Sequence, residues 1–68
     1  MTVQTQMQKA IASAQSVEAS LMQFSIETQN QQTKQMFQQL AQQQKNIITL
    51  LEGRYHQILQ EEPQFNQR

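Results

Sequence analysis

The 68-residue chain has no cysteine, no tryptophan and no aspartate, and it has one glycine, one proline and one histidine. Without cysteine it has no disulfides, and with His56 as its lone histidine it has no Cys/His zinc site. Gly53 by itself cannot form a phosphate-cradling loop. One histidine and no glycine-rich turn leave a serine nucleophile without its machinery. These absences predict no catalytic residue, no cofactor and no metal.

Charge is equally sparse. Five glutamates balance five basic residues, and Lys9, Lys34, Lys45, Arg54 and Arg68 are scattered. A protein that neutralises nucleic-acid phosphates needs a basic face, so no nucleic-acid partner is expected. The longest apolar run, Ile47 to Leu51, is interrupted by Thr49 and is far short of the ~20 residues that a bilayer span requires. Membrane contact is therefore not expected. No basic stretch leads into an apolar segment at the N-terminus, so a secretory signal is not expected either. Met1 and the missing cysteines point to a whole protein made and kept in the reducing interior of a cell.

What the chain has is periodicity. Val3, Met7, Ala10, Ala14, Val17, Leu21 and Phe24 recur by steps of three and four, which places them on one stripe of a helix. After a polar break, Phe37, Leu40, Gln44, Ile47, Leu51, Arg54 and Ile58 repeat the pattern. Ile11, Met22 and Ser25 widen the first stripe, so that this helix can meet more than one neighbour, and Ile48 and Tyr55 lie beside the second. The spacing predicts an all-α fold: a helix over about 2–28, a turn at about 28–30, a second helix over about 31–62 and a tail over 63–68. Thr2 and Asn30 are the expected N-caps, and Pro63 is the expected stop. So short a turn makes the helices antiparallel neighbours, with Phe24 and Phe37 packing beside it and Met7 reaching the level of Arg54 or Tyr55. On the same register Val17 lies level with Gln44.

Such a hairpin is small. Ordering it costs on the order of 100 kcal/mol at ~1.5 kcal/mol per residue, and small scaffolds rarely offset that without a staple. With disulfides and metal excluded, the remaining remedy is association. The expected architecture is an antiparallel helical hairpin that dimerises into a four-helix bundle, with the stripe residues as the self-association surface.

Five features carry sharper alternatives. Gln44 lies within an apolar stripe, where a polar group can fix register and oligomer number at some cost in stability. The alternative is a slight rotation that turns Ala41 and Ile48 inward. Gly53 either continues the second helix at about 1 kcal/mol relative to alanine, or kinks it, or breaks it into a third helix. Glutamine fills roughly a quarter of the chain, several times ordinary usage. It reads as a neutral, helix-compatible surface, with transglutaminase cross-linking or Gln-rich aggregation as the sharper readings. His56 follows Glu52 by one turn, half of a metal site at most, and reads as an edge histidine. Glu61 and Glu62 face the negative end of the helix dipole. With Pro63 and Phe65 they form a candidate end for recognising a protein partner.

The opening Met1-Thr2-Val3, the Ala/Ser-rich first helix, the segment around Thr28-Gln29-Asn30 and the ending Gln60-Glu61-Glu62-Pro63-Gln64-Phe65 resemble a family of very short bacterial proteins. That family is domain of unknown function sixteen-fifty-seven. The resemblance covers essentially the whole chain. It departs where family members often carry Asp-Pro, here Asn30-Gln31, and in its lower charge and higher glutamine content. The resemblance implies endospore-forming Firmicutes and gene neighbours that encode spore-membrane channel components. A non-enzymatic structural or adaptor role in the forespore or spore is the resulting expectation. A small binding module for a spore membrane channel or germination complex is its alternative. No catalytic residue transfers from the family.

Overall fold

The computed structural model describes residues 2–61. Glu62, Pro63 and Phe65, and with them the proline stop and most of the recognition end, lie outside the described residues.

Two helices account for nearly all of the described chain: α1, Val3–Glu27, and α2, Gln31–Glu61. Thr2 caps α1 as expected. Its Oγ1 accepts from the backbone N–H of Thr5 at 3.1 Å, which satisfies one of the free donors of the first turn. Ala10, Ala12, Ala14 and Ala19 favour the helix because they lose no side-chain entropy in it. α1 ends at Thr28, whose extended backbone still donates its N–H to the Phe24 carbonyl at 3.0 Å.

The bend is residues 28–30. Among the described residues none has a positive φ, so the reversal needs no glycine. Side chains hold it instead. The Asn30 N–H donates to Thr28 Oγ1 at 3.4 Å, and the Thr33 N–H donates to Asn30 Oδ1 at 2.9 Å. Asn30 is thus the cap of α2, and the Lys34 N–H donates to its carbonyl at 2.8 Å.

α2 runs unbroken through Gly53. Of the readings open at Gly53, the uninterrupted helix holds and the break that would start a third helix at Arg54 is excluded. Backbone hydrogen bonds on both sides of Gly53 offset the weak propensity of one residue.

The helices pack along their length into a flat ribbon of 53 × 17 × 10 Å. On α1 the partly or fully covered positions include Gln4, Met7, Ile11, Ala14, Glu18, Leu21 and Ser25. On α2 they include Lys34, Phe37, Ala41, Gln44, Ile48, Leu51, Tyr55 and Ile58. Both sets advance by alternating threes and fours, the geometry of helices whose side chains interlock. Ala14 and Ala41 are among the most buried residues, and their small side chains allow close approach at mid-ribbon.

Candidate functional site

The residues of the predicted stripes that repeat every seven positions form two rows on each helix, and the hairpin covers one of the two. Met7, Ala14 and Leu21 on α1 and Phe37, Gln44, Leu51 and Ile58 on α2 face the partner helix, as the stripe predicts. The rest of the predicted stripe does not. Val3, Ala10, Val17, Phe24, Leu40, Ile47 and Arg54 are all exposed. Their places in the seam go to Gln4, Ile11, Glu18, Ser25, Ala41, Ile48 and Tyr55, the residues one position further on. The seam is therefore rotated relative to the centre of the apolar stripe. The stripe is wider than one neighbouring helix can cover, and the helices settle on one flank of it.

Polar side chains hold this rotated seam. Gln44 is half-buried, and its Nε2 donates to the Ala14 carbonyl at 3.0 Å. The sequence expectation placed Val17 at this level. Gln44 instead finds its acceptor about one turn back along α1, at Ala14, while Ala41 and Ile48 also turn inward. Lys34 Nζ donates to the Ser25 carbonyl at 2.7 Å and ties α2 to the last turn of α1. Ser25, though buried, is satisfied by donating to the Met22 carbonyl at 2.7 Å. Towards the open end Gln8 Nε2 donates to the Tyr55 hydroxyl at 2.8 Å, close to the level at which Met7 was expected to reach Arg54 or Tyr55. Beside the bend the rings of Phe24 and Phe37 have centroids 5.6 Å apart and are tilted by 53°. That pair was legible from its position on either side of the turn.

Gln4 and Glu18 as seam residues were not legible, whereas Ser25 was among the residues expected to widen the first stripe. Their seven-residue spacing was available as a signal, but hydrophobicity favoured the row beside it.

The two long sides of the ribbon differ. In an antiparallel pair, residues that precede the seam on one helix share a side with those that precede it on the other. One side therefore gathers Val3, Ala10, Val17 and Phe24 with Leu40 and Ile47. The opposite side gathers residues that follow the seam, and shallow grooves on it show both helices contributing. One groove is lined by Gln8, Gln15, Glu52 and His56 among others. Another is lined by Glu18, Met22, Gln38 and Lys45 among others. His56 lies against the Tyr55 ring, with centroids 6.2 Å apart. Among the described residues no three His, Cys, Asp or Glu side chains converge as metal ligands. Glu61 is exposed at the end of α2. Among the described residues no helix is long and apolar enough to cross a membrane.

The family model for a protein of unknown function, DUF1657, matches residues 7–54, most of both helices and all of the bend, so the chain belongs to that family. Neither a curated protein nor a solved structure gives a significant match.

Proposed function

We propose that this member of the DUF1657 family is a non-enzymatic structural or adaptor protein that works by self-association, two hairpins completing one four-helix bundle. One observation carries the reading. Among the described residues no side chain is fully buried, and Ala14, Ala41, Ile48 and Ile58 are the only hydrophobic ones that lose nearly all of their exposed surface. An interior that thin does not stabilise a chain of this size, and neither disulfide nor Cys/His metal site is available to it. A second hairpin supplies the missing layer.

The setting we propose is the interior of a sporulating cell or spore, on the strength of the family resemblance. Two measurements test the reading. Sedimentation equilibrium of the purified chain should give twice the monomer mass at micromolar concentration, and a folded monomer refutes self-association. Transcript levels should rise during sporulation, and constant expression through vegetative growth refutes the spore setting.

A further inference from the structure

We infer that the second copy docks on one particular side of the ribbon, the side centred on Val17, Leu40 and Ile47, and that the opposite, glutamine-lined side stays in water. The inference rests on the self-association reading and names the face it uses.

The direction of the apolar sector is the first reason. In an isolated pair of helices the sector on each should point at its neighbour. Here it points between the neighbouring helix and one side of the ribbon, the direction of the central axis in a four-helix bundle. The exposed residues on that side are large. Val17 and Ile47 each keep 48% of their surface, Phe24 keeps 46% and Leu40 keeps 39%.

Area is the second reason. A flat face of a ribbon 53 Å long and 17 Å wide offers on the order of 800 Å² to a partner, the share each protein contributes to a stable interface of standard size.

Charge is the third. Where the helices overlap, the charged residues on or beside this face are Glu27 at the bend and Arg54 near the open end, opposite in sign. A face with no net charge does not repel its own copy. The other side exposes Met22, but sets it among Lys45, Glu52, Gln8, Gln15 and Gln38, which suits solvent rather than a dry interface.

The test uses the full chain. Because it has no cysteine, a single introduced thiol reports one position. Val17→Cys should be joined into covalent dimers by a flexible bis-maleimide, and Gln15→Cys should not. Ile47→Glu should raise the dimer dissociation constant on the order of 100-fold by sedimentation, and Gln38→Glu should leave it within about twofold. Circular dichroism on each variant at high concentration separates dissociation from unfolding, and the thiol experiment stands even if Ile47→Glu unfolds. A wild-type dimer that cross-links through Gln15→Cys and not Val17→Cys overturns this face and leaves self-association intact. A wild-type monomer overturns both, and flotation of that monomer with phosphatidylglycerol vesicles would assign the face to a lipid surface instead.

Discussion

Gln44 shows how much one polar side chain decides in a seam this thin. Its amide donates to the backbone of the other helix, at Ala14, and so marks one axial position out of several that apolar packing alone would tolerate. The bond involves a neutral donor and a half-exposed site, so its net contribution is on the order of 1 kcal/mol. A leucine there would bury more apolar surface and lose the marker. Gln44→Leu should therefore raise the thermal midpoint by roughly 4–8 °C, the shift that about 1 kcal/mol gives a domain of this size. It should also broaden the mass distribution in light scattering. A variant that keeps a single mass removes the register role. At this scale the caps were legible in the sequence, because Thr2 and Asn30 act on backbone within three residues of themselves. The acceptors of Gln44 and Lys34 were not, because each depends on how far the two helices have rotated about their axes.

At the scale of the element, the helices and their bend followed from local rules. Period, caps and the polar break at residues 28–30 all point the same way, and the observed bounds match the expected ones closely. Gly53 is the one internal conflict. It lies on an exposed part of α2, and a Cβ built there meets nothing within 4 Å. Gly53→Ala should thus stabilise the protein by about 1 kcal/mol, seen as a higher urea midpoint with an unchanged slope. Unchanged or lower stability would mean that the glycine serves a contact that only a partner provides. The rotation of the seam was legible for α2, as the alternative that turns Ala41 and Ile48 inward, but not for α1. A row of valines and leucines has the same period whether it faces one helix or the space between two, so periodicity gives the presence of a stripe and not its bearing.

For the whole molecule, the dominant fact is that a 53 × 17 × 10 Å ribbon has much surface and little interior. A particle completed by a second copy should lose stability on dilution, since association contributes to folding by mass action. For a pair of such chains the thermal midpoint should fall by about 5 °C for each tenfold dilution. A midpoint independent of concentration across the micromolar range would point to a hairpin stable by itself. The thinness of the interior was legible in length, since length bears on total buried area rather than on geometry.

The bend has a use of its own. Thr28, Gln29 and Asn30 turn the chain with ordinary backbone angles, and Gln29 is exposed at the extreme tip, far from the open end where the helices begin and finish. A fluorophore placed there touches neither the seam nor the apolar side, so it acts as a pole marker. Stacked head to head, two such markers would lie within a bundle's width of each other and quench. Stacked head to tail, they would be separated by nearly the full 53 Å and remain bright.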